Sequence, residues 1–353
     1  MGREKVAVLA AGSWGTALAR VLADNGHDVT LWARSREHAE AMNRLRRNER
    51  YLPCAELPPS IAVTADLAAA LDGAGAALFA APSAAMRDVA RAAALHLRSD
   101  ALVIHAAKGF APDDLKRMST VLAEELGRPE ERIVALSGPS HAEEVVRRLP
   151  TTVVVASMDR DCAERAQDLL MNREYFRVYT NPDLIGVETA GAIKNIIAIG
   201  AGLSDGLGYG DNARAALVTR GLAEIGRLGA AMGANPLTFA GLAGVGDLVV
   251  TCSSRHSRNW RAGFMLAEGL PLEEVLARMG MVVEGVNTTK AAYRLARQYG
   301  VSMPITEQLH DVLFAGKSPR EAVQALMGRV RTHEIEDIPL SQRDKCSRGQ
   351  TGG

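Results

Sequence analysis

A lysine inside an apolar stretch is the first residue whose surroundings suggest chemistry. Lys194 follows Ile193 and precedes Asn195, Ile196 and Ile197, in a stretch whose apolar spacing is helical. Burial lowers the pKa of a lysine and a nearby carboxylate raises it, so a lysine in such a place can exchange a proton near neutral pH. The alternative is a surface lysine whose stem lies along an amphipathic helix while its ammonium stays in water.

A carboxylate that can hold this ammonium occurs in the glycine-rich residues 241–252. Asp247 and Thr251 are four positions apart, so they share one face if the segment is helical. Asp247 would then bind and orient the Lys194 ammonium. In the alternative interpretation Asp247 only caps a helix.

Polar side chains crowd into residues 253–259, Ser-Ser-Arg-His-Ser-Arg-Asn. Ser257, Arg258 and Asn259 offer a hydroxyl, a guanidinium and an amide, which suit a phosphate-bearing substrate. A solvated basic loop is the alternative. Lys108 follows a predicted strand at 101–106 and adds a second cation. His141 invites a general-acid role, but it has no obvious orienting partner, so Lys194 is the better proton donor.

A buried strand, a small-residue turn and an apolar helix follow one another within residues 6–23. The free N–H groups and positive dipole end of such a helix suit a pyrophosphate. Gly12 and Gly15 match the last two glycines of the dinucleotide-binding fingerprint, whereas Ala10 replaces the first. Ala10 is harmless at negative φ and costs about 1 kcal/mol or more at positive φ. A strand–turn–helix without a ligand is the alternative.

The end of the next predicted strand, residues 29–32, bears on the choice of dinucleotide. An acidic residue here would bind the ribose hydroxyls of NAD, but Ala33 and Arg34 follow the strand instead. Because arginine pairs with a 2′-phosphate, the sequence favours NADPH, with NADH tolerated. Alternatively, Arg34 and Arg36 are solvated loop charges. No spacing of His, Cys or acidic residues predicts a metal site.

The elements that position these residues divide the chain into two parts. Strands alternating with helices predict an α/β fold, a Rossmann-type doubly wound sheet in a dinucleotide-binding domain at 1–182. Long helical patterns then predict an all-helical substrate and catalytic domain at 183–335, and the polar residues 336–353 predict a disordered tail. Among the finer expectations are helices over 37–50, 66–71 (capped by Asp66) and 114–126, and a loop at 51–53.

Composition narrows the class of protein. A chain of 353 residues can form two domains, and 41 basic residues balance 41 acidic ones, which argues against bulk nucleic-acid binding. Aromatic residues make up only 4%, which leaves little for base stacking. No run of 18 apolar residues lacks a charge, so no membrane insertion is expected and a cytoplasmic protein with a small-molecule substrate is predicted. Four scattered cysteines disfavour a disulfide framework or a zinc site.

From residue 6 to about residue 330 the chain resembles bacterial NAD(P)-dependent sn-glycerol-3-phosphate dehydrogenases. The resemblance rests on Gly-Ser-Trp-Gly-Thr-Ala-Leu-Ala at 12–19, Lys-Gly at 108–109, Ser-Gly-Pro-Ser at 137–140, Gly-Ala-Ile-Lys-Asn at 191–195, Asn-Ala-Arg-Ala-Ala-Leu at 212–217, Gly-Asp-Leu at 246–248, Thr-Cys at 251–252, Ser-Arg-Asn at 257–259 and Val-Glu-Gly at 283–285.

The resemblance implies reduction of dihydroxyacetone phosphate to sn-glycerol 3-phosphate for phospholipid synthesis, by a homodimer. Lys194 would donate and accept the proton, and Asp247 and Lys108 would complete the catalytic set. Together with the spacing, it predicts the substrate-binding residues Lys108, Gly138, Ser140, Lys194, Asn195, Asp247, Thr251, Ser257, Arg258 and Asn259. The predicted cofactor-binding residues are Gly12, Ser13, Trp14, Gly15, Arg34, Lys108, Ala142, Arg258, Val282 and Glu284.

Two departures from the family pattern leave alternatives open. Ala10 replaces the first fingerprint glycine, and Ala107 replaces the threonine that usually precedes the sheet-edge lysine. One alternative is a related dehydrogenase of the same architecture acting on a 3-hydroxy acid or a UDP-sugar, which Ser257, Arg258 and Asn259 disfavour. The other, motivated by Ala10, is a catalytically inactive dinucleotide sensor.

Overall fold

The computed structural model describes residues 2–330. The tail predicted at 336–353, and the last residues of the helical domain predicted at 183–335, lie outside the described residues.

Several of the candidate site residues directly follow strands of one sheet. An eight-stranded sheet has the order β10-β9-β8-β7-β6-β1-β2-β5, and all neighbours are parallel except β8 and β9. The carboxyl ends of β1, β2, β6, β7 and β8 therefore share one edge. The strands are β1 (Lys5–Leu9), β2 (Asp28–Trp32), β3 (Arg47–Asn48), β4 (Leu52–Glu56), β5 (Ile61–Thr64), β6 (Ala76–Phe79), β7 (Leu102–His105), β8 (Ile133–Ser137), β9 (Thr151–Ala156) and β10 (Phe176–Asn181).

Helices cover both faces of this sheet, which confirms the doubly wound arrangement. Leu18, on α1, belongs to an apolar core on one face, and Met86, on α4, belongs to a second core on the other. The helix predicted at 66–71 is also confirmed, because Asp66 accepts a hydrogen bond from the amide of Ala69. The helices are α1 (Ser13–Asp24), α2 (Arg36–Leu45), α3 (Leu67–Leu71), α4 (Met86–Ala94), α5 (Met118–Leu126), α6 (Ala142–Val145) and α7 (Arg160–Leu170).

The described chain after β10 contains helices and no strand, as the sequence predicts. Its central helix α8 is long and apolar enough to cross a membrane, but 89% of its most apolar window is buried inside the protein, so it is a core helix. The helices are α8 (Leu184–Gly206), α9 (Asp211–Ala231), α10 (Asp247–Ser253), α11 (Arg258–Ala267), α12 (Leu272–Met279), α13 (Glu284–Tyr299), α14 (Pro304–Phe314) and α15 (Pro319–Met327).

Three local expectations are wrong. The helix expected over 37–50 ends at Leu45, because Arg46 is left-handed at φ 51° and the chain turns into β3. The loop expected at 51–53 enters β4, whose exposed Pro53 is tolerated in a two-stranded sheet. The helix expected from 114 begins at Met118, because Leu115 is left-handed at φ 62°. Helices α6 and α7 were not predicted.

Candidate active site

Lys194 lies in the middle of α8 with only 6% of its side chain exposed. Its Nζ donates to Oδ1 of Asp247 and, at 2.7 Å, to Oγ1 of Thr251. The ammonium is therefore buried with two partners, and the alternative of a surface lysine is wrong.

Asp247 and Thr251 share the inner face of α10, so the segment is helical as their spacing requires. A π-helical turn, Leu242–Gly246, leads into this helix. The Thr251 hydroxyl donates to the Asp247 carbonyl at 2.5 Å, which leaves its oxygen to accept from Lys194. Asp247 therefore binds the Lys194 ammonium and is also the first residue of α10.

Lys108 joins the same carboxylate from the sheet edge. Its Nζ donates to Oδ2 of Asp247 at 2.6 Å and to the carbonyl of Gly138 at 3.1 Å. Asp247 therefore lies between two ammonium groups, one from the sheet and one from α8. The Ser140 hydroxyl donates to the same Gly138 carbonyl at 2.9 Å.

The electrostatics of this cluster poise Lys194 for proton exchange. Burial lowers the pKa of Lys194 to about 7, the Asp247 carboxylate opposes that change, and the Lys108 charge adds to it. Burial alone would raise the pKa of Asp247, but the two ammonium groups outweigh burial and hold that pKa below its usual value. At neutral pH the cluster combines an ionised carboxylate with an amine able to gain or lose a proton.

The predicted phosphate-binding residues lie at the start of α11 rather than in a solvated loop. The Ser257 hydroxyl caps this helix by accepting from the amide of Trp260 at 3.2 Å. Asn259 is buried: its Nδ2 donates to Oδ1 of Asn195 at 2.9 Å, and its Oδ1 accepts from the amide of Gly285 at 2.9 Å. The Asn195 amide in turn donates to the Lys108 carbonyl at 3.1 Å.

Arg258 contributes the guanidinium next to this network. Its Nη1 donates to the Val282 carbonyl at 3.1 Å. Burial lowers the pKa of Arg258, and the nearby Glu284 carboxylate opposes that change. Arg258 thus stands between the residues expected to bind substrate and those expected to bind cofactor.

The turn after β1 fits a dinucleotide phosphate. Helix α1 begins after Gly12 without a side-chain cap, so the first N–H groups of this helix remain available. A Cβ added at Gly12 would meet no atom within 4 Å, whereas one at Gly15 would lie 2.0 Å from the Ala10 carbonyl oxygen. Ala10 has φ 94°, so this alanine adopts the strained conformation that the missing glycine would relieve.

The remaining residues predicted to bind the cofactor lie at the starts of helices or after a strand. Ser13 and Trp14 open α1, and Trp14 Nε1 is buried without a partner among the described residues. Arg34 is exposed just after β2, and Ala142 opens α6. Val282 is 41% exposed, ahead of Glu284 at the start of α13.

Two contacts were missed from the sequence. Glu284 accepts from the amide and hydroxyl of Ser83, at 3.0 and 2.6 Å, which joins α13 to the turn after β6. Asn48 is buried beneath the turn after β1. Ser83 follows a predicted strand, which could have marked it as a site residue, whereas nothing in the sequence marks Asn48.

His141, considered above as a general acid, has a buried Nε2 without a partner in the described chain. The centre of its ring lies 5.9 Å from that of His256.

A doubly wound sheet with an open helix N-terminus after β1, together with a helical half that carries a carboxylate-bound lysine, is typical of nicotinamide-dinucleotide-dependent oxidoreductases. Residues 5–163 match the family model of the NAD-dependent glycerol-3-phosphate dehydrogenase N-terminus, and residues 183–324 match that of its C-terminus. The chain belongs to the NAD-dependent glycerol-3-phosphate dehydrogenase family.

Individual relatives agree with this assignment. A glycerol-3-phosphate dehydrogenase [NAD(P)+] of Geobacillus kaustophilus is 61% identical over 335 residues, covering 95% of this chain and 97% of the relative. The enzyme of that name from Bacillus subtilis is 56% identical over 336 residues, with coverages of 95% and 97%. The crystal structure of glycerol-3-phosphate dehydrogenase from Coxiella burnetii has a TM-score of 0.89 at 41% identity, covering 93% of this chain and 99% of that one.

Proposed function

We propose that this chain catalyses the reversible reduction of dihydroxyacetone phosphate to sn-glycerol 3-phosphate by NAD(P)H. The observation that carries the proposal is the buried Lys194 ammonium, bound to Asp247 and Thr251 where the sheet edge presents Lys108. The activity in the names of the relatives agrees with it.

The chemistry divides between cofactor and protein. The dihydronicotinamide, when bound, supplies a hydride to the carbonyl carbon. Lys194 stabilises the negative charge that develops on the ketone oxygen and donates a proton to it. In the reverse direction the neutral Lys194 amine accepts the proton of the alcohol. Asp247 holds the amine in place and Thr251 limits its rotation, while Lys108 adds positive charge at the sheet edge.

The substrate phosphate is expected at the start of α11. Ser257, Arg258 and Asn259 present a helix N-terminus and a guanidinium there, both of which favour a phosphate. Gly138, Ser140, Lys108 and Asn195 border the same region from the sheet edge and α8. This preference for a small phosphate ester distinguishes the proposal from a dehydrogenase of 3-hydroxy acids or UDP-sugars.

The pyrophosphate is expected at the N-terminus of α1, against the backbone of Gly12, Ser13, Trp14 and Gly15. Arg34 would pair with a 2′-phosphate, so NADPH is the preferred cofactor. The ratio of kcat/KM for NADPH over NADH, compared between the wild type and Arg34→Ala, tests this: the ratio falls if Arg34 binds the 2′-phosphate.

Ala142, Val282, Glu284, Lys108 and Arg258 would complete the cofactor site. We further assign residues 1–182 to the dinucleotide-binding domain and 183–335 to the catalytic domain. The proposed enzyme is a cytoplasmic homodimer that supplies phospholipid synthesis.

A coupled pair of measurements tests the central proposal. Purified protein is expected to oxidise NADPH with dihydroxyacetone phosphate but not with a 3-oxo acid, the ketone that corresponds to a 3-hydroxy acid, and it is not expected to reduce NADP+ with a UDP-sugar. Absence of turnover with dihydroxyacetone phosphate above the blank contradicts the proposal. Lys194→Ala is expected to lower kcat by roughly 10²–10⁴-fold with NADPH binding retained. Lys116→Ala, which removes an exposed ion pair with Glu124, is the matched control and keeps wild-type turnover.

A further inference from the structure

A buried side chain of the two-stranded β3–β4 sheet, that of Asn48, contacts the turn after β1 (residues 10–13). Asn48 has 0% exposure, and its Nδ2 donates to the Ala11 carbonyl at 3.0 Å and to the Thr16 hydroxyl at 2.8 Å. The Thr16 hydroxyl donates in turn to the Gly12 carbonyl at 2.7 Å. One amide therefore contacts the turn directly and again through the first turn of α1.

The oxygen of the Asn48 amide also has partners. Asn48 Oδ1 accepts from the amide of Tyr51 at 3.2 Å and lies 3.0 Å from His38 Nε2. Both hydrogens of the amide are therefore donated, and its oxygen accepts from Tyr51 and also from His38 in the tautomer that carries its proton on Nε2. A reversed amide would set its oxygen against the Ala11 carbonyl, so the amide has a single satisfactory orientation.

The turn that this amide contacts is strained. Ala10 has φ 94°, a region that residues with a Cβ seldom adopt, and such strain persists only where surrounding contacts oppose relaxation. The Ala10 amide donates to the Trp32 carbonyl at 3.1 Å, which anchors one side of the strained residue. Asn48 holds the next carbonyl, that of Ala11, and so anchors the other side.

We propose that Asn48 is a positioning residue for the cofactor: it holds residues 10–13 in the phosphate-binding conformation against the strain at Ala10. The reason is geometric, because a turn that relaxed would rotate the Ala11 and Gly12 peptides away from the edge of the sheet. The inference rests on the proposed function, specifically on the placement of the pyrophosphate at this turn.

Steady-state kinetics of Asn48→Ala test the inference. KM and Kd for NADPH are expected to rise about tenfold, the effect of about one buried hydrogen bond left unmade, while kcat and KM for dihydroxyacetone phosphate stay within twofold. An unchanged KM for NADPH, or an equal rise in both KM values, overturns the inference. If the wild type itself binds no NADPH in a fluorescence titration, the proposed function fails instead.

Asn43→Ala is the matched control. Asn43 donates to the Val63 carbonyl at 2.7 Å and accepts from the Val63 amide at 3.2 Å, so it ties α2 to β5 without reaching the turn. It is expected to leave KM for NADPH unchanged whatever its effect on Tm. If Asn43→Ala raised KM for NADPH as much as Asn48→Ala, the effect of Asn48→Ala would come from a general loss of stability, and the inference would be overturned.

The role of strain has its own test. Ala10→Gly in the Asn48→Ala background is expected to recover at least threefold of the NADPH affinity, because glycine adopts positive φ without strain. If the affinity for NADPH does not recover, strain at Ala10 plays no part in the effect.

Thr16→Val decides the question if Asn48→Ala fails to fold. This near-isosteric change removes one of the two acceptors of the Asn48 amide, and an unchanged KM for NADPH overturns the inference.

Discussion

Lys194 shows how one residue acquires its chemistry from opposing effects, of which burial is the larger. Burial disfavours the ammonium, whereas the Asp247 carboxylate favours it, and the net result is a pKa of about 7. A free lysine would remain protonated at neutral pH and could donate a proton but not readily accept one. The balance lets Lys194 serve both directions of the proposed reaction.

The pH dependence of the two directions follows from this pKa. Ketone reduction requires the ammonium, so its kcat/KM is expected to fall by about tenfold per pH unit above a midpoint near pH 7. Alcohol oxidation requires the neutral amine, so its kcat/KM is expected to rise through the same midpoint. Initial rates measured in both directions across that range check the prediction.

Asp247→Asn provides the internal comparison for these profiles. Because the carboxylate raises the pKa of Lys194, its loss is expected to move the midpoint of the remaining activity to lower pH. Lys194 does not transfer the proton if the rates of the two directions change with pH in the same sense, or if the midpoint in Asp247→Asn moves to higher pH.

At the scale of elements, the site depends on how closely α8 and α11 approach each other. A Cβ added at Gly202 would lie 1.9 Å from the Trp260 carbonyl oxygen, and one at Gly263 would lie 2.0 Å from the Ile199 carbonyl oxygen. The two backbones are therefore in direct contact. This contact sets α11, and with it Asn259, against Asn195 on α8.

Gly202→Ala is expected to force these helices apart. It should destabilise the protein by about 1–3 kcal/mol, the usual cost of overpacking, and raise KM for dihydroxyacetone phosphate because Arg258 moves with α11. Urea unfolding and steady-state kinetics measure the two effects.

A glycine with room for a Cβ on a neighbouring helix supplies the control. A Cβ added at Gly226 on α9 would have Phe239 Cδ2 as its nearest neighbour, at 3.9 Å. Gly226→Ala is expected to be neutral or to stabilise by up to about 1 kcal/mol, since alanine is the better helix former. Equal effects of the two substitutions would show that helix spacing is unimportant.

At the scale of the whole molecule, buried polar contacts join the sheet half to the helical half. Glu188, near the start of α8, accepts from the Ser119 amide at 2.8 Å and from Arg117 at 2.6 Å, and His105 Nε2 lies 3.1 Å away. Burial alone would raise the pKa of Glu188, but these partners lower it to about 2. The carboxylate thus stabilises the folded state above its unfolded pKa of about 4.5, and that stabilisation is lost as the pH falls towards 2.

Arg117→Met is expected to destabilise the protein by about 3–5 kcal/mol at neutral pH, because the buried carboxylate loses a charged partner. The pKa of Glu188 rises, so acid unfolding begins at a higher pH. Urea titrations at several pH values test both points. Arg160→Met, at an exposed pair with Glu164, is expected to cost less than about 1 kcal/mol; a similar cost for both would contradict the interpretation.

The sequence by itself determined the fold class and which candidate residues share a sheet edge or a helix face. Short continuous apolar runs between helical patterns identify the alternating half, since its strands are buried on both faces, and long patterns of period 3.6 identify the helical half. Lys108 and Ser140 could be assigned to one edge because they follow strands whose carboxyl ends meet there. Asp247 and Thr251 could be paired because helical spacing is a local property.

Tertiary structure alone decided the protonation behaviour of Lys194, the strained φ of Ala10 and the contacts of Asn48 and Glu188. Each depends on groups far apart in the chain: Asn48 reaches Ala11 across 37 positions, and Glu188 reaches Ser119 across 69. Periodicity records which face of an element is buried, but it does not record which element covers that face. Solvation and hydrogen bonding of a buried group are set by the covering element, so they exist only once the chain has packed.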